Sequence, residues 1–474
     1  MSSRPKNRIR QFVLTCLVFL AWAPAASAVG LPRLPFEDYK LANGLRVVLL
    51  EDHLSPLVTV EVWYHVGSKN EDEGRRGFAH LFEHLMFSAT RNQRRGQFSR
   101  QIVRSGGITN AYTTEDATVV WETIPSNFLR VALWLEADRM KNLEITQADL
   151  RREIEVVKEE RRLRFDNVPY GTVVETLYEQ AFTVHPYRRV PIGSMEDLAK
   201  SRLEEVREFY RTQFVPNNAT LVIVGDFKGK QARSWIQEYF SLIPRAEPPQ
   251  KKLIPVEPVQ TAGKTFRLGK NVALPALVYG YHMPADGSAD SYALKLLSKI
   301  LSDGESSRLV RRLVVGKRIA LEVDSVANFT EHPNLFVLYA ILHEGVPLAE
   351  GEQELRAELE RLKQEPLSGE ELAGARNRML RDLALERRNT KSLADLLGYA
   401  TVILKDTGSI NREVEKFLAV SPEDVRRVAR KYLVSENLTL IEVQPNAGER
   451  EASDPFSTPG VGRTGKLSEE PPAR

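Results

Sequence analysis

His80 and His84 lie four residues apart in the stretch GFAHLFEHLMF, and Glu83 directly precedes the second histidine. On a helix this spacing sets both imidazoles on one face, about one turn apart. Two imidazoles so placed can fill two corners of a tetrahedral zinc site. A carboxylate beside them can take a proton from water acidified by the metal. Two histidines hold a metal weakly, so the pattern asks for a third ligand. The charged stretch RREIEVVKEERRLR offers Glu153, Glu155, Glu159 and Glu160. Glu153 and Glu160 are seven apart and share a helix face. One can complete the metal site while the other orients a ligand from behind. Glu159 points about 100° away from Glu160. A charged helix is ordinarily a solvated face. The setting argues for more, since a fold has little structural reason to place His, Glu and His among Phe and Leu.

The elements that must position these residues carry both periodicities. GLRVVLLED, LVTVEVWYHVG and ATVVWETIP read as strands, β-branched and bounded by Asn-Gly, Gly and Pro. GFAHLFEHLMF, NFLRVALWLEADRMKN and QADLRREIEVVKEERRLRFD read as helices. They interleave without a regular βαβ beat, which predicts α+β layers. The segment LEEVREFYRTQFVPNNATLVIV from Leu203 matches PEDVRRVARKYLVSENLTLIEV from Pro422, through helix, turn and strand. That continuity predicts a duplicated domain. The expected division is a zinc-bearing domain over 36–245, a Pro-rich linker over 246–264, and a homologous domain lacking the zinc motif over 265–445. A disordered tail is expected over 446–474.

The first 28 residues read as a secretory signal: a basic start, the run FVLTCLVFLAWA, and Ala26-Ser27-Ala28 as a small-x-small cleavage site. The run is short for a membrane span and Pro24 interrupts it. An uncleaved anchor is the alternative, and no stable span is expected after cleavage. Periplasm is the expected compartment. The single cysteine, Cys16, lies inside this segment, so the mature chain can form no disulfide and any metal must be held by His and carboxylate. Four cations, Arg4, Lys6, Arg8 and Arg10, account for the formal charge of +3. The remainder is near neutral, which gives no reason to expect nucleic acid.

Around the motif the text resembles the pitrilysin and insulysin family of inverted zincin metallopeptidases. The likeness is strongest to the branch with mitochondrial processing peptidase and its bacterial secreted relatives. LANGLRVVLLED, VGSKNEDEGRRGFAHLFEHLMFSAT, GGITNAYTTEDATVVWETIP, VVKEERR, HPYRRVPIGSMEDL and FVPNNATLVIVGDF carry the resemblance, in family order. It implies two homologous α+β domains, each a largely antiparallel sheet packed against helices, together forming one half of a clamshell. It implies one Zn2+ per chain held by His80, His84 and Glu160, with Glu83 as general base and Glu153 supporting the site. It also implies that Asn110, Ala111 and Tyr112 lie on an edge strand that pairs with an unfolded peptide substrate.

One family feature is missing. Active members receive an Arg and a Tyr from the clamshell's other half, which help to hold the scissile carbonyl and its oxyanion. The matching stretch here is LVVGKRIALEV, which puts Val314 on the Arg and Leu321 on the Tyr. Arg308, Arg311, Arg312, Arg318, Tyr292 and Tyr339 are the nearby candidates should the alignment be shifted. The expectation is therefore a heterodimer, in which a paralogous partner subunit brings the Arg/Tyr pair. The alternative is a non-catalytic assembly or peptide-binding subunit that kept the fold. His53, His65, His185, His282, His332 and His343 are expected to be surface or satisfied core histidines.

Overall fold

The computed structural model describes residues 30–247 and 253–446. The signal-like segment and the tail after Asn446 fall outside the described residues. In chain order the first domain contains β1 (Glu37–Lys40), β2 (Arg46–Glu51), β3 (Leu57–Tyr64), α1 (Phe78–Leu85), β4 (Ala89–Thr90) and α2 (Gln97–Arg104). There follow β5 (Ile108–Thr113), β6 (Thr118–Pro125), α3 (Leu129–Asn142), β7 (Leu143–Glu144), α4 (Gln147–Arg161) and α5 (Val173–Ala181). It ends with α6 (Met195–Ala199), α7 (Leu203–Gln213), β8 (Ala219–Gly225) and α8 (Gly229–Phe240). The second domain contains β9 (Lys264–Lys270), β10 (Ala276–Met283), α9 (Ser291–Ser302), β11 (Ala320–Ala327), β12 (Asn334–Leu342) and α10 (Leu348–Gln364). It continues with α11 (Gly369–Glu386), α12 (Thr390–Val402), α13 (Glu413–Ala419), α14 (Pro422–Tyr432) and β13 (Leu438–Pro445).

The two main sheets repeat one topology. The first runs β1-β2-β8-β3-β6-β5 and the second β9-β13-β10-β12-β11. In each, one parallel pair (β2 with β8, β9 with β13) joins an otherwise antiparallel ladder. The strand pair β8 and β13 and the helix pair α7 and α14 each begin 219 residues apart, the offset read from the sequence.

β2 shows why the strands look apolar throughout. Val47 and Leu49 point into a core formed with α1, α3, α4, α7 and α8. Val48 and Leu50 point the other way, against Leu393, Ala394 and Leu397. Both faces are buried, so the strand has no polar face to alternate with. The second cover comes from α12, a helix of the other domain. The exchange is reciprocal: Val173, Leu177 and Tyr178 of α5 pack with Val278, Val337 and Ile441 of the second sheet. Gly398 of α12 permits the close approach, because a Cβ there would lie 2.2 Å from the Trp63 indole.

Polar contacts fasten the same seam. Lys69 bridges Asp116 at 2.7 Å and also reaches Glu331 of the second domain. His65 and Lys405 meet Glu331 at 2.6 and 2.7 Å. The Pro-rich linker is tied down where it is described. The Glu257 carboxylate accepts hydrogen bonds from the backbone N–H groups of Thr183, Val184 and His185. Among the described residues no helix is long and apolar enough to cross a membrane.

Candidate metal centre

α1 begins at Gly77, whose φ of 92° is left-handed. A side chain there would also press on Gly193 and Ile192, so the turn and the close approach both require glycine. The Glu71 carboxylate accepts hydrogen bonds from the N–H groups of Gly77 and Ala79, at 3.0 and 2.9 Å. It caps the helix and sits where the helix dipole favours negative charge. Burial nevertheless pushes its pKa up to about 8. Leu81, Phe82 and Leu85 turn into the core, with Phe82 and Phe214 ring centroids 4.0 Å apart. That orientation leaves His80 and His84 facing α4 and Glu83 reaching Thr113 of β5.

α4 is set by a capping box, in which Thr146 accepts from Asp149 N–H and the Asp149 carboxylate accepts from Thr146 N–H. Leu150, Ile154 and Val157 anchor it in the core. Glu153 and Glu160 then face α1. The end of the helix is held by Arg161, which pairs with Glu175 at 2.8 Å and donates to the Gly193 carbonyl.

His80, His84 and Glu160 each place one potential ligand atom within 4.8 Å of the other two. Glu160 Oε2 lies 3.5 Å from His80 Nε2 and 3.2 Å from His84 Nε2. A tetrahedral zinc with bonds of about 2.1 Å has ligand–ligand edges of about 3.4 Å, so the spacing fits. The rings stand nearly perpendicular, with centroids 4.9 Å apart. Glu153 Oε2 is 3.8 Å from His84 Nδ1, on the side away from Glu160. There it can fix the ring's orientation. Glu159 turns outward to Arg162. The outer oxygens of the two inward glutamates are held by arginines: Arg95 on Glu153, and Arg164 on Glu160 at 3.1 Å.

Electrostatics suit ligand and base roles. Burial, with His84 adding to it, pushes the His80 pKa down to about 4, so the ring is neutral and its lone pair free. Burial pushes Glu83 up to about 7, against the hydrogen bond that it accepts from Thr113. Burial opposes the charged form of His84, but the hydrogen bond to Glu160 together with the charges of Glu83, Glu160 and Glu153 outweighs it and raises the pKa. Burial likewise works against the Glu160 carboxylate, and the His84 hydrogen bond with the charges of His80, Arg164 and His84 reverses it, leaving the pKa lowered.

Asn110, Ala111 and Tyr112 lie on β5, which pairs with β6 on one side and ends the sheet. Asn110 is exposed, and its side-chain oxygen accepts the Ala111 N–H at 2.9 Å. Tyr112 is committed elsewhere. Its hydroxyl donates to Asp395 at 2.9 Å and its ring meets Trp63 edge-on. Sequence reasoning missed Thr113, the next residue, whose hydroxyl donates to Glu83 Oε2 at 2.6 Å. It stands inside the quoted motif, but a threonine in a strand carries no signal of its own.

In the second domain Val314 is half-buried and Leu321 is 48% exposed. Arg308 is paired with Glu371, Arg312 with Glu354, and the Tyr339 hydroxyl donates to Glu322. His53, His65 and His282 all have polar partners of their own, namely Asp226, Glu331 and the Ala181 carbonyl.

Comparison with known proteins now bears on this arrangement. Residues 46–193 match the family model described as Insulinase (Peptidase family M16). Residues 201–379 match one described as Peptidase M16 inactive domain. The chain is 30% identical over 417 residues to the zinc protease PqqE of Helicobacter pylori, covering 86% of this chain and 93% of that one. The chain belongs to peptidase family M16. The crystal structure of a protease from Helicobacter pylori superposes with a TM-score of 0.83 at 30% identity, over 87% of this chain and all of that one. The periplasmic protease PqqL from Escherichia coli shares the fold, with a TM-score of 0.74 at 18% identity. This chain matches 48% of the length of PqqL. Within this M16 chain the metal-type cluster lies in the first domain, and the description "inactive" attaches to the second model.

Proposed function

We propose that this chain is a zinc-dependent endopeptidase for unfolded peptides and the catalytic subunit of a heterodimer acting in the periplasm. The observation that carries the reading is the convergence of His80, His84 and Glu160 at tetrahedral spacing, with the buried Glu83 one residue from a ligand. Zinc bound by these three residues would supply a Lewis acid for the scissile carbonyl and would acidify a water.

The chain's own residues do the rest. The unpaired edge of β5 takes the peptide as an added strand, so recognition rests on backbone hydrogen bonds and tolerates many sequences. Glu83 takes the proton of the attacking water and passes it to the leaving amine. Burial favours the protonated form of Glu83, which helps it to retain the proton until the amine leaves. Thr113 holds one Glu83 oxygen in place, on the strand that would receive the peptide. Glu153 and its arginine keep the His84 ring oriented.

The partner is motivated by Val314 and Leu321, which occupy the positions matched to the family's Arg and Tyr. Arg308, Arg312 and Tyr339 are engaged within their own domain, so they offer no ready replacement. A match to about half of PqqL supports reading the chain as one half of a larger enclosure. The signal-like N-terminus and the compartment named for PqqL support the periplasm.

The test is cleavage of a quenched-fluorescent unfolded peptide by the chain plus a paralogous subunit, with and without zinc. Cleavage that requires zinc, the partner and Glu83 is expected. Equal cleavage by Glu83→Gln would sink the general-base assignment, and full activity of the chain alone would sink the partner.

A further inference from the structure

The near-neutral charge of the chain past its N-terminal cations conceals a one-sided segment. From Ser88 to Thr114 the chain has no acidic residue, yet it carries Arg91, Arg94, Arg95, Arg100 and Arg104. All five are exposed. Among the described residues Arg94, Arg100 and Arg104 have no carboxylate partner; Arg100 donates only to the Arg95 carbonyl. One arginine in the last turn of a helix is explained by the helix dipole. That accounts for Arg104 on α2; Arg91 pairs with Glu144 and Arg95 with Glu153, which leaves Arg94 and Arg100 unexplained.

The placement of the segment gives it a use. α2 leads through Ser105-Gly106-Gly107 directly into β5, and the two elements pack side by side. β5 is the edge strand on which the reading above places the peptide. At its other end the segment reaches the metal centre, because Arg95 holds Glu153, and Glu153 lies 3.8 Å from His84. Two apolar residues, Val103 at 60% exposed and Ile108 at 59%, lie beside the arginines at the α2–β5 corner. A basic and partly apolar rim therefore borders an unpaired strand edge.

We propose that the peptide held along β5 is acidic, and that Arg94, Arg100 and Arg104 receive its carboxylates. The inference rests on the peptidase reading for the strand's role, but it concerns binding and does not require cleavage. Backbone pairing supplies affinity without choosing a sequence. Arginines along the edge would choose by charge, through selectivity and rate of encounter rather than tight binding.

The test uses the full mature chain as Glu83→Gln, so that bound peptide is not consumed. Fluorescein-labelled extended peptides of one length, carrying Glu, Gln or Lys at the same positions, are titrated by anisotropy. The acidic peptide should bind about tenfold tighter than the basic one at low salt, as expected for a few exposed ion pairs. The preference should shrink in about 0.5 M salt. It should also shrink in an added Arg100→Gln/Arg104→Gln background that keeps its melting temperature and zinc content. Equal binding of the three peptides, or preference for the basic one, would overturn the proposal. So would salt-sensitive binding of phosphatidylglycerol vesicles with no binding of the acidic peptide, which would make the patch a membrane contact. Acidic peptides that bind selectively, but that zinc-loaded wild type with candidate partners never cuts, would uphold this inference and defeat the peptidase reading.

Discussion

In the first domain α1 and α4 face each other across His80, His84 and Glu160. In the second, the corresponding helices α9 and α11 face each other across an ion pair, Lys299 with Asp382 at 2.7 Å, and Arg378 of α11 donates to the Lys299 carbonyl. The helices occupy matching places in a duplicated order. α1 and α9 follow the central strands β3 and β10, while α4 and α11 precede the exchanged helices α5 and α12. The difference is one of charge supply. Lys299 brings a cation for its carboxylate and closes the account within the chain. Glu83, Glu153 and Glu160 gather around two imidazoles, and Arg95 and Arg164 reach only the outer oxygens. The inward side of the first site gathers His80, His84 and Glu160 as groups that could hold a metal ion, the role proposed above.

Five variants bear on that contrast. His84→Ala should abolish zinc retention, read as metal per chain by elemental analysis after dialysis. Lys299→Met with Asp382→Leu should leave metal content unchanged. Equal metal in wild type and His84→Ala would erase the distinction between the domains. Glu83→Gln should keep the metal and lower kcat by about 10²–10⁴-fold, the range of a general base. Thr113→Val should keep the metal and lower kcat by about tenfold, the worth of roughly one hydrogen bond to a charged group, with Thr113→Ser restoring most of it. A change in KM alone would instead assign Thr113 to peptide binding.

The seam between the domains offers a measurement of stability. Burial alone would raise the Glu331 pKa, but the hydrogen bond from His65 and the charge of Lys69 outweigh it and hold the carboxyl well below its usual range. A lowered carboxyl pKa stabilises the fold above the unfolded value and loses that contribution as pH falls through the folded one. Glu331→Gln should therefore cost about 3 kcal/mol at neutral pH, as for a broken buried pair. The gap to wild type should close as pH falls below about 4.5, in denaturant titrations at each pH. A gap independent of pH would show that the seam is held by packing. The smallest effect is expected from Lys299→Met alone, about 1 kcal/mol for a partly exposed pair.

Much of the candidate metal centre is legible before folding. The four-residue spacing of His80 and His84 and the seven-residue spacing of Glu153 and Glu160 each select one helix face, because the helical repeat does so in any context. The duplication is legible in the match between the segments from Leu203 and Pro422. Other features left no local mark. The apolar character of Val47 to Leu50 announces burial on two faces but not what covers the second. Glu71 looks like one more acidic residue in a loop, and its capping role depends on where the turn at Gly77 brings the helix.

The sequence by itself determined which side chains share a helix face and which segments are related, since both follow from residue spacing along the chain. Only the tertiary structure decided that α4 lies against α1, that α5 and α12 cross to each other's sheets, and that Thr113 reaches Glu83. Those contacts join residues distant in the chain, and they are set by the burial of both sheet faces and by the close approaches that Gly193 and Gly398 permit.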